Sequence, residues 1–300
     1  MSAPSQRLYV TGGRGRLASL IADHFRAPAH EVMLFSRHSS PGFSPLATLT
    51  DPGALARGQV IFHLAWSSLP VTSEQDPGIE EREDLPLLEK LLAALARQSG
   101  PNRPHLIFFS SGGAVYGNAP DRPNHEADAC RPIGRYGRAK LAAEQLINAH
   151  VARHELPCTI LRISNPYGYP VPKNRVQGLI PHALRCAAEG QPLTLWGDGS
   201  ARKDFLYYTD FLSALEPVIA RRLTGTFNIC AGESHAVTGV IRAVEVETGK
   251  PIVLQHVPAP AWDVHDSRLD PARFMATTGW RPQVPLAEGI RRAAAGYAVH

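Results

Sequence analysis

A chain of 300 residues, 44% of them hydrophobic, can bury a full core as one large domain or two smaller ones. No apolar stretch approaches a membrane span, and the start MSAPSQRLYV has no apolar run behind a basic region, so a membrane protein and a secreted one are both unexpected and the cytoplasm is the default compartment. The net charge of +4 is dispersed, without a basic run carrying interleaved aromatics, which argues against nucleic acid; Cys130, Cys158, Cys186 and Cys230 are too scattered for a zinc site or a disulfide framework.

In chain order, RLYV reads as a short strand, TGGRGR as a turn, and LASLIADHF as a helix with Leu17, Leu20, Ile21 and Phe25 at helical spacing. EVMLFS (31–36) and QVIFHLA (59–65) read as further strands, the second apolar enough to be buried on both faces. A long helix is expected over about Glu80 to Gln98, carrying Leu85, Leu88, Leu91, Leu92 and Leu95. HLIFFSS from His105 and CTILRIS (158–164) are strands, with a helix from near Tyr136 to about His154 between them. Strands alternating with helices predict an α/β fold built on a doubly wound parallel sheet. After Ser164 the pattern becomes turn-rich and its elements shorter, which predicts a smaller, mixed C-terminal region.

The first turn places small residues at Gly12, Gly15 and Ala18, one residue away from the usual G-x-G-x-x-G spacing. Between a first strand and its helix, such residues let the backbone close on a pyrophosphate at a helix N-terminus. A carboxylate at the end of the second strand would accept ribose hydroxyls and repel a 2′-phosphate, whereas an arginine would welcome that phosphate. Here the strand ends in Ser36 and Arg37, with Arg14 in the turn beside them, so NADP(H) is favoured over NAD(H).

Tyr136 and Lys140 stand four apart on a helix and share one face. An ammonium near a phenol favours phenolate and lowers the phenol toward neutral pH, which makes the tyrosine a usable proton donor and acceptor. Tyr169 and Lys173 repeat the spacing, but Pro170 and Pro172 forbid a regular helix there, and this pair is a decoy.

With TGGRGRLA, FHLA, SSGGAVYG (110–117), YGRAK, LRISNPYG (161–168), WGDGSARKDFLYYTD (196–210), FNICAGE and TGWRP (278–282) in this order, the chain resembles the extended short-chain dehydrogenase/reductase family over nearly its full length, in particular the nucleotide-sugar epimerases, dehydratases and reductases. The resemblance implies a Rossmann-type dinucleotide-binding domain over 1–165, to which a segment at about 205–240 returns, and a nucleotide-sugar-binding region over 166–300. It implies Tyr136 as acid/base, Lys140 as the residue that binds the nicotinamide ribose and tunes Tyr136, Leu64 of FHLA on the cofactor, and Asn165 on the nucleotide sugar. It also implies a homodimer through the two long helices, a partner that an exposed leucine stripe on the first of them would require.

Departures from the family pattern carry as much information. The hydroxyl expected three residues before Val115 falls on Gly112, so Ser111 is the nearest substitute, with Ser110 less suited because neighbouring strand residues face opposite ways. The acidic pair of dehydratases is replaced by Gly113 and Ala114, which argues against dehydration. Where an arginine usually holds the phosphates stands Lys203, preceded by Arg202. Trp66 occupies a position where a small residue is usual, either narrowing the pocket or packing. The reading leans to an NADPH-dependent reductase of a 4-keto nucleotide sugar, against an NAD-dependent 4-epimerase and against a dinucleotide-binding regulator without catalysis. No metal is expected.

Overall fold

Short β-rich runs separated by amphipathic helices assemble into one seven-stranded sheet. Its strands are β1 (Gln6–Thr11), β2 (His30–Ser36), β3 (Ser44–Pro45), β4 (Val60–His63), β5 (His105–Ser111), β6 (Cys158–Ile163) and β7 (Gly225–Ile229), in spatial order β7-β6-β5-β4-β1-β2-β3. The structure, a computed structural model, describes all residues except 1–5, 27–29, 39, 56–58, 99, 101–102, 171–176 and 299–300. Pairings β1/β2, β1/β4, β2/β3 and β4/β5 are parallel, with Thr11 opposite both Phe35 and His63. The chain runs outward from β1 through β2 and β3, then restarts on the other side of β1 at β4. That reversal opens a crevice beyond the C-terminal ends of β1 and β4, the usual ligand position in such sheets.

Two units share the chain. The first comprises 1–111, 135–162 and 215–227, and the second 112–134, 163–214 and 228–300. The second therefore takes in 112–134, a stretch that the sequence pattern groups with the dinucleotide-binding domain.

In the first unit β4, β5 and β6 are buried along their length except at Ser111, because helices cover both faces. The helix expected from Glu80 divides in two: a π-helical turn at Glu80–Asp84, then a regular helix at Leu85–Ala96 that opens with Pro86 in its first turn, where a missing N–H leaves no bond unmade. Its leucine stripe is not exposed. Leu88, Leu91, Leu92 and Leu95 pack into the unit's own core beside Ile61, Phe108 and Ile147, so the stripe needs no partner to explain it. Helix Arg135–His154 lies over β5 and carries Tyr136 and Lys140.

In the second unit the strand Arg202–Tyr207 is central. It pairs with Asn165–Tyr167 and Asp266–Ser267 in parallel and with Ser234–Ala236 antiparallel. Tyr167, Leu184, Phe205 and Val240 form part of its core. Among the described residues no helix is long and apolar enough to cross a membrane.

Candidate active site

At the crevice, Gly12 adopts φ +69°, and a Cβ there would lie 2.8 Å from the Leu64 carbonyl oxygen and 2.9 Å from the Ala65 nitrogen. Only a bare glycine lets the turn lie this close to the exit of β4. Thr11 fastens the same point, its hydroxyl accepting from the Leu64 and Ala65 amides at 3.1 and 3.0 Å and lying 3.1 Å from His63 Nδ1. Helix Arg16–Phe25 starts at Gly15, which brings no side-chain cap, and a helix N-terminus is a place where an anion is favoured. Ala18, fully buried, lets that helix close on the sheet. A backbone cradle of this kind fits the pyrophosphate of a dinucleotide, with Gly12, Gly15, Ala18 and the backbone of Leu64 as its walls.

At the end of β2, the Arg14 guanidinium donates to the Ser36 hydroxyl at 3.2 Å and to the Ser40 hydroxyl at 2.8 Å, and lies 5.3 Å from the centre of the Phe43 ring. Arg37 behaves differently from its expected role. It pairs with Asp84 at 3.1 Å and Glu83 at 3.6 Å and donates to the Ser67 hydroxyl, so carboxylates already satisfy its charge. Of the two candidate phosphate partners, Arg14 is the one braced beside Ser36 by neutral hydroxyls.

Tyr136 and Lys140 share the first turns of helix Arg135–His154, with the ammonium 5.7 Å from the phenol ring centre. Lys140 is buried, donates to the Phe109 carbonyl at 2.9 Å and sits 3.7 Å from the centre of the Trp66 ring. Burial pulls the ammonium down to about 7, against the upward pull of Asp84, Glu144 and Glu80. The expected lowering of the Tyr136 phenol is reversed. Burial, with Glu80 and Asp84 adding negative charge, pushes it above its ordinary value, and the lysine is turned toward Trp66 and the β5 backbone. At neutral pH the phenol is therefore an acid that holds its proton. His63, buried beside them, is held neutral, pushed down to about 3 by burial and by Lys140.

The hydroxyl question divides cleanly between the two serines. Ser110 donates to the Glu144 carboxylate at 2.5 Å, and that carboxylate also receives the Arg162 guanidinium at 2.6–3.1 Å, all three groups being buried. Ser110 is thus a member of a structural ion-pair network. Ser111, half-buried at the end of β5, keeps the candidacy for the missing hydroxyl. Of the decoy pair, Lys173 lies outside the described residues.

In the second unit the candidate substrate residues are committed to neighbours. Lys203 pairs with Asp263 at 3.1 Å and donates to the Val264 carbonyl, while Arg202 donates to the Ser234 carbonyl at 2.7 Å. Asn165 donates its side-chain amide to the Asp204 carbonyl at 2.7 Å, which ties the NPYG segment to the central strand.

Sequence reasoning missed Glu80, Asp84 and Glu144. Their signal was present: Glu80 and Asp84 are four apart in the run EERED, and Glu144 stands four after Lys140 on the same helix face. Asp263 had no such signal, because its contact is with a residue 60 positions away.

Residues 8–230 match the NAD dependent epimerase/dehydratase family, and the chain belongs to it. It is an enzyme of the extended short-chain dehydrogenase/reductase type, which sets aside the reading of a dinucleotide-binding regulator without catalysis. It is 28% identical over 305 residues to the UDP-glucose 4-epimerase of Mycolicibacterium smegmatis, spanning 95% of this chain and 96% of that one. It is 33% identical over 188 residues to the dTDP-4-dehydro-6-deoxyglucose reductase of Escherichia coli, spanning 62% of this chain and 58% of the relative. The solved structure of the Thermus thermophilus UDP-glucose 4-epimerase in complex with NAD superposes with a TM-score of 0.86 at 27% identity, covering 98% of this chain and 99% of that one.

Proposed function

We propose that this enzyme is a cytoplasmic nucleotide-sugar oxidoreductase acting at the sugar 4-position, and that it works as an NADPH-dependent reductase of a 4-keto sugar. The observation that carries the reading is the end of β2, where Ser36 and Arg14 stand and the strand itself ends without a carboxylate. The bound nicotinamide supplies a hydride. Tyr136, protonated at neutral pH, donates its proton to the carbonyl oxygen as that oxygen becomes negative. Lys140 lies beside the phenol and its positive charge favours the phenolate that remains. Ser111 is the hydroxyl available to hold the same oxygen. Asn165, Arg202 and Lys203 belong to the nucleotide-sugar side, and Lys203 must share its charge with Asp263 to do so.

A second reading, NAD-dependent 4-epimerisation, is favoured by a specific observation: the charge of Arg37 is taken up by Asp84 and Glu83, leaving Arg14 as the cation beside Ser36. The match to a UDP-glucose 4-epimerase across the whole chain supports it too. Identifying the co-purifying cofactor separates the two. NADPH-dependent turnover of a 4-keto nucleotide sugar by a protein purified empty supports the reductase; tightly held NAD, with interconversion of UDP-sugars and no added cofactor, overturns it.

The same proposal includes a homodimer through helices Leu85–Ala96 and Arg135–His154. With the leucine stripe internal, the surface left for it is the shallow groove lined by Leu85, Pro86, Ala142 and Leu146. Sedimentation of a Leu146→Glu variant as a monomer, beside a dimeric parent, tests it.

A further inference from the structure

Trp66 is the residue whose place in the fold is least explained by the reaction so far. It follows β4, is half-buried, and packs edge-on to Phe108 of β5 with ring centres 6.1 Å apart. A tryptophan in a protein interior usually engages its indole N–H in a hydrogen bond. The N–H of Trp66 is buried, and no partner stands against it among the described residues. The ring is therefore held by its faces and edges, and one face meets the Lys140 ammonium at 3.7 Å from the ring centre, well inside the range of a cation–π contact. Phe108 adds a second ring 5.0 Å from the same ammonium, and the Phe109 carbonyl supplies one acceptor at 2.9 Å.

We propose that Trp66 is a positioning residue for Lys140, its indole face keeping the buried ammonium charged and fixed at one distance from Tyr136 on the same helix. This rests on the reading of Tyr136 and Lys140 as the catalytic couple. The physical reason is a choice of counter-charge. A buried ammonium needs negative potential. A carboxylate in direct contact would supply it but would also cancel the positive charge that the phenol requires. The acids that surround Lys140 are instead shared with other groups: Asp84 with Arg37 and Ser67, Glu80 with Ser68, and Glu144 with Arg162 and Ser110. His63 of β4 and Tyr136 of the same helix also face it, and both are neutral at neutral pH. An aromatic face stabilises the cation while leaving its charge intact.

The chain's five lysines make the test direct. With lysine labelled at Cε, one resonance is expected to be ring-shifted upfield and to titrate at lower pH than the rest, and its loss in Lys140→Met assigns it. Fluorinated tryptophans introduced at position 66 withdraw charge from the ring face at nearly constant shape. They are expected to lower the pH of that titration in graded order, by a total of about three- to tenfold in the proton equilibrium. Trp66→Leu is expected to lower it at least as far, and Trp66→Phe to recover part of the difference. A titration unmoved by fluorination, or a Leu variant equal to the Phe variant, overturns the proposal and makes the ring a filler. If the Leu variant does not fold, the fluorinated series decides alone. Failure of the underlying reading looks different: Tyr136→Phe would then retain nucleotide-sugar turnover whatever the Lys140 titration shows.

Discussion

The cations of the two units are handled in opposite ways. In the first unit Lys140 is buried against aromatic rings and a backbone carbonyl, and among the described residues no carboxylate pairs with it directly. In the second, Lys203 is joined to Asp263 and Arg202 to the Ser234 backbone, so charge that a phosphate could use is already shared. The difference teaches that a lysine's availability depends on what surrounds it more than on its place in a motif. A site that must act on a neighbour's proton keeps its charge exposed to that neighbour. On the roles proposed above, a lysine that holds a mobile anion would share its charge with a carboxylate until that anion arrives.

The largest effect expected is that of Tyr136→Phe, which removes the proposed proton donor and should lower turnover by about 10²–10⁴-fold with the fold intact. Steady-state rates with circular dichroism as control check it, and a variant within threefold of the parent rules the couple out. Glu144→Ala should come next. It leaves Arg162 buried without its partner and Ser110 without its acceptor, and should destabilise the protein by about 3–5 kcal/mol in denaturant titration. An effect below about 1 kcal/mol would mean that this network is as loosely held as the pair in the second unit.

Lys140→Met should separate stability from activity. The lysine is held at about 7 in the folded chain against an ordinary 10.5, so its burial penalty is fully present below pH 7 and fades as pH rises toward 10.5. The variant should be inactive yet more stable at pH 6, on the order of 2 kcal/mol, with the gain shrinking over that window. Thermal melts at pH 6, 8 and 10 measure this, and a gain that grows with pH contradicts it. Asp263→Asn should give the smallest change. Lys203 and Asp263 are each only about one-fifth exposed, but the amide oxygen left by the substitution can still accept from the ammonium, so stability should fall by about 1 kcal/mol. Freeing Lys203 should lower KM for a nucleotide sugar about two- to threefold with kcat unchanged. An unchanged KM would assign Lys203 to structure alone.

Much of the fold was legible in advance, because its signals are local. The strands from His105 and Cys158 and the helix carrying Tyr136 follow from apolar runs and 3.6-residue periodicity. The glycine turn was legible too: Gly12 is needed where the backbone passes close to the exit of β4, and Gly15 closes the turn on the Gly12 carbonyl. The leucine stripe was read correctly as a helix face and wrongly as an exposed one, since periodicity gives a face but not what covers it.

What the sequence by itself determined is therefore the alternation of strands and helices, the cradle at β1 and the tyrosine–lysine pair on one helix, all set by interactions within a few residues. Only the tertiary structure decided which charges are free. Arg37 was claimed by Asp84 from 47 positions away, Lys203 by Asp263 from 60, and Lys140 was turned to the face of Trp66 from 74. Coulomb and cation–π energies depend on distance in space and on burial, and neither can be read from spacing along a chain.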